Sequence, residues 1–186
     1  IAAFSFFNLM MLRPLPVRAP ETLVRMHRSA PGNYWSDVPY PAIAFYRDHS
    51  RTLSAVLAFH HVRLALDGEG GSAQAHMVSS NFMRELGATA RLGRVLDTAL
   101  DESSDELAVV LGNAFWERHF GGDPGVVGRT LRLNGQMTTI VGVAAVEFSG
   151  LTMQQPDIWA PITHKPRYVA GSQILTDFSA SDGSVD

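Results

Sequence analysis

The seven histidines are the residues of this sequence that most invite a metal site, yet their spacing argues against one. His60 and His61 are adjacent in a predicted strand, so their side chains point to opposite faces and cannot hold one ion. The others lack the spacing that places two histidines on one turn of a helix. These scattered residues are His27, His49, His76, His119 and His164. We therefore expect no metal ligand and no metal cofactor.

Carboxylates, glycines and serines give no catalytic pattern either. The acidic run at 97–106 lacks the alternating ligands and the glycine of a calcium-binding loop, so we interpret it as a solvated loop. Glycines 121, 122, 125 and 128 are not followed by the Gly-Lys-Ser/Thr of a phosphate-binding loop, which leaves them as caps and turns. No serine lies in a Gly-x-Ser-x-Gly elbow. The sequence thus predicts no catalytic residue, no cofactor-binding residue and no enzyme.

Composition places the chain among ordinary globular proteins. Apolar residues make up 46% of it and charged residues 18%, which separates it from disordered chains. The net charge of −3 and the lack of a basic stripe argue against a nucleic-acid partner. The absence of cysteine excludes disulfides, cysteine-ligated zinc and thiol catalysis within this sequence.

The first twelve residues, IAAFSFFNLMML, are conspicuously apolar. They are too short to span a bilayer, which takes about 20 residues. They also lack the basic start and the cleavage site of a signal peptide. Two interpretations stay open from the residues alone: a buried terminal helix or strand, and the outer end of a transmembrane helix.

The clearest local signals lie between residues 112 and 146. Asn113 is predicted to cap a short helix, which ends at Gly121 and Gly122 because a left-handed terminal residue costs glycine little. Asn134-Gly135 then separates two strand-like runs and favours a two-residue type I′ turn, since both central residues need positive φ. Pairing across this turn predicts one buried face. Its members are Leu131, Leu133, Thr138 and Ile140.

Alternating runs, a hairpin partner and short apolar runs predict further strands elsewhere. They cover residues 23–28, 56–66, 73–80, 107–111 and 157–162. The last is expected at a sheet edge, because Pro161 cannot donate to a ladder. A helix is predicted to end near His49 with Ile43 and Tyr46 on one face, and Asn81 is predicted to cap another.

Several of these segments, in this order, resemble the extracytoplasmic core domain of MacB/FtsX-type ABC transporter permeases. The matching pieces are NLMMLRPLP at 8–16, ETLVRM at 21–26, SSNFMRELGATARLGRVL at 79–96, LAVVLGNAFWERHFGGDPGVVGRTLRLNGQMTTIVGVA at 107–144 and PDIWAPI at 156–162. The resemblance covers residues 1–165, and the run from 116 to 143 is its most specific part.

The resemblance implies an α+β fold in two lobes. Residues 20–80 would form the first half of a porter-like βαβ lobe, and residues 81–168 an inserted, smaller Sabre-like mixed α/β lobe. Residues 1–19 would be the outer end of a transmembrane helix and its connector, and 169–186 a flexible tail. In the family a second βαβ half follows the DIWAPI-like strand, so the porter lobe is expected to be incomplete here.

The same resemblance implies a non-catalytic domain on the periplasmic side of the inner membrane. It would couple ATP hydrolysis in the cytoplasm to periplasmic movement for export, efflux or mechanotransmission. The implied partners are an ABC ATPase subunit reached through the membrane part, a second permease domain in a pseudo- or homodimer, and a periplasmic protein. A free-standing secreted module that binds a ligand or partner is the alternative, and a hydrolase with an unrecognised site is a weaker third.

Overall fold

The computed structural model describes residues 16–30, 33–36, 38–68, 71–96, 100–101, 104–152 and 155–176. Its strands are β1 Arg28–Ala30, β2 Asn33–Ser36, β3 Phe59–Leu66, β4 Gly71–Val78, β5 Ala90–Gly93, β6 Ala108–Leu111, β7 Thr130–Leu133, β8 Gln136–Ala144 and β9 Ile158–Pro161. Its α-helices are α1 Tyr40–His49, α2 Phe82–Glu85, α3 Asn113–Phe120 and α4 Lys165–Tyr168. Short 3-10 turns cover Pro20–Thr22, Pro124–Val126 and Ile162–His164. The α+β class predicted from the sequence is confirmed.

Seven strands form one mixed sheet in the order β5-β8-β6-β9-β4-β3-β7. Because β7 also pairs with β8, the sheet closes on itself, and β5 is attached to β8 outside the ring. The β4–β9 and β6–β8 pairs are parallel and the other pairs are antiparallel. β1 and β2 form a separate two-stranded sheet.

The β7–β8 turn is the element that closes the ring. Asn134 and Gly135 have φ values of 46° and 80°, which confirms the predicted turn. The Asn134 side-chain oxygen accepts a hydrogen bond from the Ala65 N–H at 2.6 Å, and the Asn134 N–H donates to the Ala65 carbonyl at 3.1 Å. The Gly135 N–H donates to the Asp67 carboxylate at 2.6 Å. A turn formed by local sequence thus also joins β3 to β7.

Successive strand residues point to opposite sides of the sheet. Both sides carry buried residues. One face lines the inner core, to which every strand of the ring contributes and which α3 covers through Phe115 and Trp116. The other face lines a second cluster, the outer core. Its buried residues are Val78, Phe82, Met83, Leu86, Leu96, Val110, Ala144, Phe148 and Trp159. The predicted buried face of the β7–β8 hairpin is confirmed in the inner core.

The strand predicted at 23–28 is wrong. Of that run only Arg28 belongs to a strand, β1. Val24 and Met26 carry the apolar alternation, yet both are exposed, and Val24 is 73% exposed. An alternating run forms a strand only where it has a partner strand, and no described strand pairs with residues 23–27.

The prediction of an edge position for β9 is also wrong. β9 lies between β6 and β4 and pairs with both. Pro161 is its last residue and lies opposite Val78 at the end of the parallel pair. A proline at the end of a strand removes no interior hydrogen bond, so it does not force the strand to the edge.

Of the two predicted asparagine caps, Asn113 is wrong, whereas Asn81 occupies the predicted cap position but forms no side-chain cap bond. Gly112 takes the cap position of α3, and the side-chain oxygen of Asn113 accepts a hydrogen bond from Arg91 at 2.7 Å instead. Asn81 precedes α2 without a side-chain cap, and its amide donates to the Val56 carbonyl at 3.2 Å. Each side chain forms a hydrogen bond with a residue distant in the sequence instead of a local capping bond.

The acidic run is not wholly solvated. Asp101 is 3% exposed and receives two hydrogen bonds from the Arg94 guanidinium, both 2.7 Å long. Asp105 and Glu106 are exposed as expected. The prediction therefore fails at Asp101, because a bidentate arginine compensates for burying its charge.

The lobe boundaries stay a prediction. β3 and β4 precede residue 80, yet they belong to the same sheet as β6 to β9. The apolar start at 1–12 and the last part of the predicted tail, 177–186, lie outside the described residues.

Candidate functional site at the N-terminal junction

The N-terminal connector is attached to the outer core by two consecutive residues. Val17 is partly buried and packs against that core. The Arg18 N–H donates to the Leu86 carbonyl at 2.9 Å. A Cβ built on Gly87, whose φ is +76°, would lie 3.3 Å from the Arg18 Cβ. We call this set, Val17, Arg18, Leu86 and Gly87, the N-terminal junction.

Directly after the junction the chain turns at Ala19. Ala19 has φ 45° and ψ 57°, a left-handed conformation that costs a residue with a Cβ on the order of 1–2 kcal/mol. The Thr22 N–H and hydroxyl both donate to the Ala19 carbonyl, at 3.0 and 2.8 Å, and Pro20 opens the following 3-10 turn. A strained backbone conformation persists only where the surrounding structure stabilises it. Such strain is often found in functional segments, so this turn is a candidate for one.

The junction rests on a tightly packed support. Phe82 and Met83 of α2 are fully buried and Leu86 is 1% exposed. The Phe82 ring lies 5.9 Å from the ring of Trp159, and Phe148 lies 5.3 Å from the same indole. Trp159 is fully buried in β9, an interior strand of the sheet. α2 therefore packs directly against an interior strand of the sheet.

A histidine pair borders this support on β3 and β4. His61 and His76 face each other across the two strands, and the His76 ring meets Trp159 at 5.1 Å, nearly perpendicular to it. His76 is 6% exposed. Burial, and to a lesser extent the neighbouring His61, together lower the pKa of His76 to about 4. His76 is therefore a neutral imidazole near neutral pH.

The adjacent histidines contact different neighbours, as their alternation in a strand predicts. Nε2 of His60 lies 2.9 Å from Nζ of Lys165, whereas His61 meets His76. His49 contacts the Phe45 carbonyl through Nδ1 at 2.9 Å. No group of three or more side chains suited to hold a metal ion occurs in the described part of the chain.

A second surface feature lies on α1. All ten residues of this helix are at least partly exposed; Phe45 is 56% exposed and Tyr46 46%. Ile43 packs on the inner core, whereas Tyr46, predicted to face the same way, is exposed. A groove of 430 Å³ lies beside the helix. It is lined by Met26, His27, Arg28, Val38, Pro39, Ala42 and Tyr46.

Sequence reasoning missed both the junction and the groove. Nothing in the sequence indicates that Arg18 packs against Gly87. The local signal that could have located the junction is the proline pair flanking it, Pro16 and Pro20, which restricts the backbone on both sides.

The chain matches a known family. The family of the MacB-like periplasmic core domain matches residues 1–184. The chain belongs to this family. The resemblance that the sequence motifs carry is thereby confirmed, and the chain is an extracytoplasmic domain of a MacB-like ABC transporter permease.

Solved structures share the fold at low identity. The periplasmic region of MacB from Actinobacillus actinomycetemcomitans aligns with a TM-score of 0.56 and 16% identity, over 74% of this chain and 61% of that one. The extracellular domain of the noncanonic ABC-type transporter YknZ from Gram-positive bacteria gives 0.56 and 16%, over 71% and 66%. This chain thus spans less than two thirds of either solved domain. No curated protein matches it.

Among the described residues no helix is long and apolar enough to cross a bilayer.

Proposed function

We propose that this domain works without catalysis, as a rigid body that couples ATP hydrolysis in the cytoplasm to movement on the periplasmic side. The movement would serve export, efflux or mechanotransmission. The observation that carries the proposal is the family match over residues 1–184. Rigid-body motion of domains is a common way to pass a conformational change over a distance.

The packing of the sheet supports movement as one body. Ile140 and Leu133 on the inner face and Trp159 on the outer face are all fully buried. A domain whose sheet is closely packed on both faces resists deformation. A force applied at one point therefore moves the whole domain. The closed ring adds to this resistance, because it leaves few unpaired strand edges.

The proposal includes the attachment of the domain. Residues 1–12 would be the outer end of the first transmembrane helix and 1–19 the connector, which places the domain at the inner membrane. An ABC ATPase subunit would act through the membrane part, and a second permease domain and a periplasmic protein would be further partners. Residues 20–80 and 81–168 would be the porter-like and Sabre-like lobes.

A single fluorescent label tests the movement. The chain has no cysteine, so Met137→Cys on β8, where Met137 is 52% exposed, gives one site in this domain. The permease and its ATPase would be reconstituted in vesicles that contain acceptor lipids, with any cysteines elsewhere replaced. Energy transfer from the label to the lipids should change between the nucleotide-free and the ATP-bound states. Equal transfer in the two states would contradict the proposal.

The alternative, a free-standing secreted binding module, is favoured by one observation, the exposed apolar groove beside α1. The parent reading frame separates the two proposals. Apolar blocks of about 20 residues on both sides of this domain would support the permease. A short chain after a cleaved signal peptide would support the binding module.

A further inference from the structure

We propose that His61 and His76 form a binding site for one divalent transition-metal ion of the kind that imidazole prefers, with Cu²⁺ bound more tightly than Zn²⁺. The ion would join β3 to β4 on the face of the sheet that carries the outer core. The proposal does not depend on the coupling role proposed above. The expectation of no metal ligand rested on the spacing of histidines along the chain, whereas this pair is formed across two strands.

The backbone places the two side chains next to each other. His61 and His76 are direct partners in the antiparallel β3–β4 pair. The N–H and the carbonyl of Ala65 both bond to Asn134, on the side of β3 away from β4. Because backbone groups alternate along a strand, those of His61 also point away from β4. The two histidines are therefore a non-hydrogen-bonded pair, in which side chains come closest.

The ring geometry is near that of two ligands on one ion. The ring centroids of His61 and His76 are 4.2 Å apart and the ring planes are 83° to each other. Two imidazoles that share an ion, with metal–nitrogen distances of about 2.0–2.1 Å, have centroids about 4.5–5 Å apart. A small rotation of the exposed His61 side chain gives this separation without a change of the backbone.

His76 is a buried imidazole without a hydrogen bond. It is 6% exposed, and its ring contacts are with Phe59, His61 and Trp159. Neither of its ring nitrogens is bonded to a residue in the part of the chain that the structure describes. A buried polar side chain normally has a partner. A metal ion would supply one here, since a neutral imidazole is the commonest metal ligand in proteins.

The surrounding charges set the strength of the site. Arg63 is the next residue on the same face of β3 and is exposed. Its cross-strand partner Gln74 donates its N–H to the Asp157 carboxylate at 2.9 Å, and Asp157 forms an ion pair with Arg118. One arginine is thus uncompensated and opposes a cation, although salt screens exposed charges. We expect weaker binding than at a site with three or four protein ligands.

Copper binding tests the site in the purified protein, prepared without a histidine tag. Cu²⁺ is added in equal amount at neutral pH, and the electron paramagnetic resonance spectrum is recorded. We expect one bound ion with splitting from two nitrogens. In competition titrations Zn²⁺ should displace Cu²⁺ only in excess, whereas Mg²⁺ should not displace it, because Mg²⁺ prefers oxygen ligands.

Matched histidine variants show where the ion binds. His61→Gln removes the exposed member of the pair, and His49→Gln removes an exposed histidine on α1. We expect His61→Gln to lower the Cu²⁺ affinity by about tenfold or more, since even outer-shell partners of a metal contribute that much. It should also remove one nitrogen from the spectrum, whereas His49→Gln should change neither. His76→Gln should act like His61→Gln, which carries the test should His76→Gln fail to fold.

A second readout is thermal unfolding. Added Zn²⁺ should raise the unfolding midpoint of the wild type and of His49→Gln, but not of His61→Gln, because a ligand that binds the folded chain stabilises it. Equal Cu²⁺ affinity in the wild type and in His61→Gln would overturn the proposal. So would an equal loss in His49→Gln, which would place the ion elsewhere. A wild-type spectrum with a single nitrogen would mean an adventitious ion only, on one histidine.

Discussion

His61 and His76 lie opposite each other on β3 and β4, with ring centroids 4.2 Å apart and ring planes 83° to each other. His76 is the buried member of the pair, and its remaining ring neighbours are Phe59 and Trp159, which carry no charge. Protonating His76 would thus place a positive charge among aromatic rings and beside a second histidine. This relationship predicts that protonation of His76 destabilises the fold around it.

We predict that the domain loses stability as the pH falls from about 6.5 to about 4. Burial lowers the pKa of His76 from 6.5 to about 4, so the unfolded chain binds the proton more tightly than the folded one. The contribution of the neutral His76 to the free energy of unfolding is therefore complete above pH 6.5. It is lost as the pH falls toward 4. The loss should be on the order of 2–3 kcal/mol, measured from urea unfolding at pH 7.5 and pH 4.5.

The matched controls are His76→Gln and His49→Gln. The first removes the titrating group, so its free energy of unfolding should change much less over this range. The second changes an exposed histidine on α1 and should keep the acid sensitivity of the wild type. An acid loss of full size in His76→Gln would show that other groups cause it.

The second prediction concerns the β7–β8 turn. Gly135 has φ +80°, and Gly135→Val should cost on the order of 1–3 kcal/mol because a β-branched residue is strained there. Gly71→Val is the control, since Gly71 does not have positive φ and a Cβ there meets only Leu66, at 3.7 Å. Denaturant midpoints of the two variants, at equal slopes, measure the difference. Equal losses would show that backbone strain at the turn is not decisive.

The third prediction isolates the closure of the ring. Asn134→Gly keeps the left-handed backbone without strain but removes the side-chain bonds to the Ala65 N–H and, at 3.0 Å, to the Tyr168 carbonyl. We expect a loss of about 1–2 kcal/mol, as for two modest hydrogen bonds. The Ala65 amide should also exchange its hydrogen faster, as measured by NMR. An unchanged free energy of unfolding would mean that the backbone pairing alone closes the ring.

The parts of the fold that were predictable from the sequence are the local ones. The β7–β8 hairpin was predicted correctly because Asn134-Gly135 determines its own dihedral angles. The position of β9 within the sheet was not predicted correctly, because many residues separate β9 from its neighbours β4 and β6 along the chain. Pro161 alone indicated an edge, and the tertiary pairing overruled that indication.

The candidate site could not be predicted, because it depends on contacts between distant residues. Arg18 and Gly87 lie far apart in the sequence, and no periodicity links them. Asn113 shows the same limit: its pattern favoured a helix cap, while its side chain accepts a hydrogen bond from Arg91 on β5. A charged or amide side chain forms hydrogen bonds with the partners that the folded structure brings near it. These partners cannot be identified from the sequence alone.

The last prediction uses Lys165, which is the only lysine in the sequence. Lys165 is 3% exposed, and its Nζ lies 2.9 Å from Nε2 of His60. Amine acylation needs solvent contact, so an N-hydroxysuccinimide ester should modify Lys165 only when the domain unfolds. Modification followed by mass spectrometry at rising urea should therefore track the unfolding transition. Arg132→Lys on β7, at an exposed position, provides the control, because that amine should react in the native state. Rapid modification of Lys165 without urea, at a rate close to that of the introduced lysine, would show that the segment from β9 to α4 opens independently of the sheet.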